Sequence, residues 1–178
     1  YNYAFALFRC GQTGAAIAEL ERLTALEPRN PVYRKLMGEA LLADGRYEES
    51  LRCHEEMVRD FPGQPLAHMG RSLSLQASGK PEQCVEGYRE TIRRFPSFAA
   101  AYWGLASLRT ARFTTDEIAE MQSQLKRSDL SEEDRVFLHF AEGRALEQQE
   151  RYRDSFESYA TANAIKRSTL SYNPQLLT

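Results

Sequence analysis

In the stretch PVYRKLMGEALLADGRYEESLRCHEEMVRDFPGQ, from Pro31 to Gln64, apolar residues recur every three to four positions, break at Asp44 and Gly45, and then resume the same spacing. Such positions share one face of a 3.6-residue helix, so the pattern predicts two short amphipathic helices joined by a tight turn. The pair closes at Pro62, which cannot continue a helix. One frame away on either side the arrangement returns. Gly11, Gly45 and Gly79 stand 34 residues apart, as do Pro28, Pro62 and Pro96. A period of this length predicts stacked copies of one helix hairpin, each burying its apolar face against its neighbours.

Counting Pro31 as the first place, the eighth place is Ala4, Gly38, Ser72 and Ala106 in successive copies, and the twentieth is Ala16, Ser50 and Cys84. Compact side chains at both places let helix backbones approach closely, while Leu7, Leu41, Leu75, Leu20, Met57 and Tyr88 fill the seam. This frame of small, large, glycine, aromatic, small and proline places resembles the tetratricopeptide repeat from residue 1 to about 98. Tyr47 and Tyr152 occupy its aromatic place after the turn; Thr13 and Pro81 depart from it. The resemblance implies an all-α, right-handed α-solenoid of about five helix pairs. Its repeats would cover about 1–30, 31–64, 65–98, 99–130 and 131–167, with residues 168–178 as a linker toward a further domain.

Taken in order, residues 1 to about 10 read as a helix, Gly11 to Gly14 as its turn and 14–27 as the partner helix. The third copy turns at Ser78, Gly79 and Lys80, and Pro81 falls just inside the next helix, where a missing amide donor costs least. The fourth copy is degenerate. A helix is predicted over 99–111, but Phe113 stands at the glycine place and Leu130 at the proline place. Thr114 followed by Glu117 forms a capping-box pattern, which predicts a helix over about 115–127. Ser131 with Asp134 opens a longer helix through about Gln149, in which Gly143 restores the small place 37 residues after Ala106. A partner helix follows over about 152–167. The first copy begins part-way through its first helix, at Tyr1, so the sequence reads as a fragment of a longer chain.

Composition narrows the function. The 178 residues are 42% hydrophobic and 27% charged with a net charge of -2, which suits a helical array and argues against a nucleic-acid partner held by charge. No apolar run approaches the roughly 18–20 residues that span a bilayer, so no membrane partner is expected. Cys10, Cys53 and Cys84 lack a metal spacing, and reduced thiols in a cytoplasmic setting are expected. His54, His68 and His139 are spread over three copies, and the pairs Glu48–Glu49 and Glu55–Glu56 read as solvated helix residues. Gly11 and Gly14 follow no strand and precede no lysine, unlike a phosphate-binding loop. These residues carry no expected catalytic group, cofactor or metal.

The last copy, FLHFAEGRALEQQERYRDSFESYATANAIKR with SYNP shortly after, resembles the final repeat of bacterial tetratricopeptide proteins that continue into a sulfotransferase domain. The matching places are Phe140, Ala141, Gly143, Ala145 and Leu146, then Tyr152, Phe156, Asn163, Ala164, Lys166 and Arg167, and finally Tyr172 and Pro174. Ala162 stands where that family commonly has glycine. The resemblance implies a parent protein that transfers a sulfuryl group from PAPS, with this chain as a non-catalytic docking or accessory domain.

The tetratricopeptide resemblance also implies a concave groove lined by the second, fifth, ninth and twelfth places of each first helix. These are Phe5 and Phe8; Val32, Lys35, Glu39 and Leu42; Leu66, Met69, Leu73 and Gln76. Next come Ala100, Trp103, Ser107 and Thr110, then Phe137, Phe140, Arg144 and Glu147. The family's carboxylate clamp finds Lys35 but meets Glu39 in place of asparagine. The expected partner is an extended or helical protein segment anchored by Trp103, Met69, Phe140 and Leu73. Two further expectations are a free-standing adaptor and a module that assembles copies of itself through Tyr3 and Phe5 at its first helix or through its last helix.

Overall fold

Most helix boundaries fall where caps and breakers in the sequence place them. In the computed structural model, which describes residues 1–169, the described residues form ten helices and no strand. They are α1 (Asn2–Arg9), α2 (Thr13–Leu26), α3 (Pro31–Ala43), α4 (Tyr47–Asp60) and α5 (Pro65–Ala77). They continue as α6 (Pro81–Arg94), α7 (Ala99–Ala106), α8 (Thr115–Leu125), α9 (Glu132–Gln148) and α10 (Tyr152–Thr169). Proline is the first residue of α3, α5 and α6, and Asn30 caps α3 by accepting from the Val32 N–H at 3.0 Å.

The hairpin turns share one backbone solution. Gly11, Gly45 and Gly79 have φ of 73°, 80° and 70°, the left-handed region that glycine enters without steric cost. In each case the next residue's N–H reaches back five residues: Gln12 to Leu7 O at 2.9 Å, Arg46 to Leu41 O at 2.9 Å and Lys80 to Leu75 O at 3.0 Å. This pairing satisfies the open carbonyls of the helix end. The turn between α9 and α10 repeats it, with Arg151 N–H donating to Leu146 O at 3.0 Å, but the left-handed residue there is Glu150, with φ 61°. Gly14, expected in the first turn, instead lies in the first turn of α2, because the left-handed bend is completed at Gly11 and the helix resumes at Thr13.

The compact places all point inward. Ala4, Ala16, Ser50, Ser72 and Cys84 are 0% exposed, and Gly38, Ala106 and Gly143 are buried. Two copies add a hydrogen bond across the seam: Ser50 Oγ donates to Gly38 O and Ser155 Oγ to Gly143 O, each at 2.8 Å. Another device joins successive copies, since His68 Nε2 donates to Pro62 O and Tyr102 Oη donates to Pro96 O, both at 3.0 Å.

The chain divides into two units, Tyr1–Thr91 and Ile92–Thr178, the boundary falling inside α6. In unit 1, α1 packs on α2, α2 on α3, α3 on α4 and α4 on α5, around a core that includes Ile17, Leu20, Leu36 and Leu41. In unit 2, α7, α8 and α10 all pack on α9. The capping signals hold: Thr114 Oγ1 accepts from Glu117 N–H and the Glu117 carboxylate accepts from Thr114 N–H, while Ser131 Oγ accepts from Asp134 N–H.

One predicted helix ends early. The helix expected over 99–111 stops at Ala106, and the chain turns so that Leu108, Ala111 and Phe113 are buried. The Gln148 side chain from α9 holds this bend, accepting from Phe113 N–H at 3.1 Å and donating to Ala111 O at 3.0 Å. At the other end, residues 168 and 169, assigned to a linker from the sequence, still belong to α10. The rest of that linker, with Tyr172 and Pro174, lies outside the described residues.

Candidate functional site

In unit 1 the residues expected to line the groove differ in exposure. Phe5 is 43% exposed and stacks on Tyr1 with ring centroids 6.1 Å apart, whereas Phe8 is half-buried against the core. Lys35 and Glu39 pair with each other at 3.0 Å, so the lysine is already offset by a carboxylate on its own helix. Leu42, Met69 and Leu73 are half-buried and Gln76 is exposed.

Unit 1 also holds a buried polar cluster around His54, Ser50 and Ser74. The His54 ring, 3% exposed, occupies the space above Gly38 and Gly70; a methyl group on Gly38 would stand 2.6 Å from Nε2, and one on Gly70 would overlap the ring edge. Nδ1 donates to Ser50 O at 3.0 Å and lies 3.1 Å from Ser74 Oγ. Burial pushes the imidazole pKa below its ordinary value, so the ring is held neutral. The register carries the signal for this cluster: His54 takes the place of Leu20 and Tyr88, each 34 residues away and each buried.

Unit 2 does bring predicted residues together. Trp103 on α7 is 37% exposed, with its ring 5.4 Å from that of Phe140 on α9, and Phe140 lies 6.2 Å from Tyr159 on α10. Tyr159 was not among the expected site residues. It reaches this face because Gly143 leaves room for its ring, and its hydroxyl donates to Glu147 at 3.3 Å. Arg144 pairs with the same carboxylate at 2.9 Å, giving the aromatic patch a polar margin. Phe137 is half-buried, and Ser107 is exposed with its hydroxyl turned back to Gly104 O at 2.7 Å.

The buried ionisable groups of this region serve packing. Glu142, 8% exposed, accepts from Gln122 Nε2 and Ser158 Oγ, each at 3.0 Å, and His139 Nδ1 stands 3.5 Å away. Burial raises its pKa, but these neighbours outweigh burial and hold it below the ordinary carboxylate value. All three cysteines are free; burial pushes the Cys53 and Cys84 thiols up to about 11, which leaves them as unreactive packing groups. Among the described residues, no group of three or more potential ligands could hold a metal ion, and no helix is long and apolar enough to cross a membrane.

Residues 4–65 match the tetratricopeptide repeat family. A TPR repeat-containing thioredoxin of Arabidopsis thaliana is 39% identical over 62 residues, which is 35% of this chain; the chain spans 9% of that relative's length. Among solved structures, MamA 41-end from Desulfovibrio magneticus RS-1 superposes with a TM-score of 0.66 at 19% identity, covering 96% of this chain and 94% of that one. A thermophilic TPR protein of Thermus thermophilus gives 0.57 at 20% identity, covering 92% and 96%. At such identities these likenesses establish the fold alone.

Proposed function

We propose that this array of tetratricopeptide repeats is a non-catalytic docking module that binds a protein segment through the aromatic patch of Trp103, Phe140 and Tyr159. The observation that carries the reading is that Trp103 keeps more than a third of its surface open while Phe140 fixes its ring from the side. A large ring held in place loses little freedom on binding, and tryptophan, tyrosine and arginine dominate the energetics of such interfaces. Arg144 and Glu147 supply the polar rim that orients a bound segment.

Peptides selected for binding to residues 1–178 test this. Trp103→Ala should weaken the selected peptides by about 2 kcal/mol or more, measured well below the melt of the variant, since the ring also packs on Phe140. Peptides that bind equally well to Trp103→Ala and Phe140→Ala would contradict it. Trp103 is the only tryptophan, so its emission reports occupancy directly.

A second reading makes the module the substrate-docking domain of a sulfotransferase. It is supported by the sequence resemblance of the last copy, with Phe140, Gly143, Asn163, Lys166 and Arg167 in place. A coding sequence that continues beyond Thr178 into a strand and a glycine-, serine- and threonine-rich loop would uphold it, and an immediate stop codon would remove it. Self-association is favoured by Tyr3, 67% exposed on α1, and Phe156, 72% exposed on α10; sedimentation unchanged between two concentrations would exclude it. Three unpaired cysteines favour a cytoplasmic setting.

A further inference from the structure

The degenerate fourth copy leaves an opening within unit 2. Because α7 stops at Ala106 and the chain folds back, α8 begins beside a cavity of about 340 Å³ rather than a packed seam. Its walls are Ile92, Pro96, Tyr102, Leu105 and Phe113, all apolar but for one hydroxyl, and that hydroxyl is already committed to Pro96 O. The walls are fixed by bonds that need no ligand. Gln148 secures the backbone at Phe113, and the capping box secures the start of α8. A rigid apolar recess of this size is the usual form of a binding pocket.

The rim gives the occupant its charge. Asp116, Glu117 and Glu120 border the cavity, with Arg93 as the one cation among them. Glu117 is taken up by the Thr114 N–H, but Asp116 and Glu120 stand one helical turn apart on the same face, where like charges repel. Neither carries an ion pair among the described residues; Glu120 accepts only the Gln124 amide, at 2.8 Å. The first turn of α8 itself favours Asp116, but neither carboxylate has a cation of its own, so a cation brought by a partner would find both at the mouth of the apolar recess.

We infer that this cavity is a second docking site, taking an apolar side chain that adjoins a basic residue on a partner polypeptide. The apolar group enters against Ile92 and Pro96 with Phe113 at its floor, and the basic group meets Asp116 and Glu120. This site is separate from the aromatic patch, since neighbouring residues on α7 diverge: Tyr102 lines the cavity while Trp103 meets Phe140.

The test uses residues 1–178 with labelled methyl groups at Ile92 and Leu105 and three capped tetrapeptides: Gly-Phe-Arg-Gly, Gly-Phe-Glu-Gly and Gly-Ser-Arg-Gly. The first should shift both methyl resonances saturably, and the other two should bind about tenfold more weakly or worse. The paired substitution Asp116→Asn and Glu120→Gln keeps the shape of both side chains and should abolish the preference for arginine over glutamate while the chain stays folded. Equal binding of all three peptides, or methyl resonances that stay in place, would overturn the inference. A Phe-Arg peptide that changes only Trp103 emission would also overturn it, while leaving the aromatic patch standing as a docking surface.

Discussion

The ring of Tyr159 lies on Gly143, so closely that a methyl group added there would stand 2.8 Å from two ring carbons. Sixteen residues separate the pair, the same interval that separates Gly38 from His54, whose ring lies over that glycine in the same way. A large side chain on the second helix of a hairpin thus occupies the space that a compact residue on the first helix leaves open.

Because Tyr159 also supports Phe140 and through it Trp103, crowding Gly143 should be felt at the docking face. Gly143→Ala is expected to cost about 1–3 kcal/mol by overpacking and to shift Trp103 emission in the folded state. Urea unfolding followed by that emission measures both; an unchanged folded spectrum would separate the glycine from the patch.

Glu150 occupies the place that Gly11, Gly45 and Gly79 take in the regular hairpins, and it has their left-handed backbone. A side chain in that conformation costs roughly 1–2 kcal/mol. Glu150→Gly should therefore raise stability by about 1 kcal/mol, after the greater freedom of glycine in the unfolded chain is subtracted. The midpoint of urea unfolding reads this directly.

Acid should weaken both units. The His54 pKa is lowered in the folded state, chiefly by burial, with Lys35 lowering and Glu39 raising it in smaller measure. The neutral ring is the folded form, so its contribution is complete above the ordinary histidine value near 6.5 and declines as pH falls below it. Glu142 follows at lower pH: its folded pKa is also depressed, so its contribution is present above the ordinary carboxylate value and is lost as pH falls through the folded one. Unfolding free energy measured from about pH 7.5 downward should fall, and His54→Gln should flatten the part of the decline that lies just below the histidine value.

Gln148 supports a bend far away in sequence. Gln148→Leu leaves the Phe113 N–H without its partner and the Ala111 carbonyl with only the Arg112 guanidinium at 3.3 Å, and should cost about 1–3 kcal/mol. Hydrogen exchange at the Phe113 amide should accelerate in the variant by more than it does at Ile118, inside α8.

The sequence shows most clearly what is decided locally. Thr114 with Glu117 and Ser131 with Asp134 mark helix starts because each cap is complete within four residues, and the glycine turns are legible for the same reason. The early end of α7 is not legible from its own residues, whose apolar run continues through Leu108; a side chain on α9 secures the bend. The aromatic patch was half visible. Trp103 and Phe140 follow from repeat register, but Tyr159 emerges only once the 37-residue spacing of the last copy carries the Leu20, His54 and Tyr88 place forward to it.

Compact places let the hairpins nest, and one substitution made at two glycines checks this. Gly38 lies in α3 under the His54 ring, whereas Gly14 lies in α2 with nothing within 4 Å of an added methyl group. Alanine is favoured over glycine within a helix by roughly 0.5–1 kcal/mol, so Gly14→Ala should raise unfolding stability by about that amount. Gly38→Ala gains the same propensity but must displace a ring held by Ser50, Ser74 and Gly70, and should lower stability by about 1–3 kcal/mol. Opposite signs in the two urea titrations are predicted; equal gains at both positions would contradict the nesting of hairpins on their compact places.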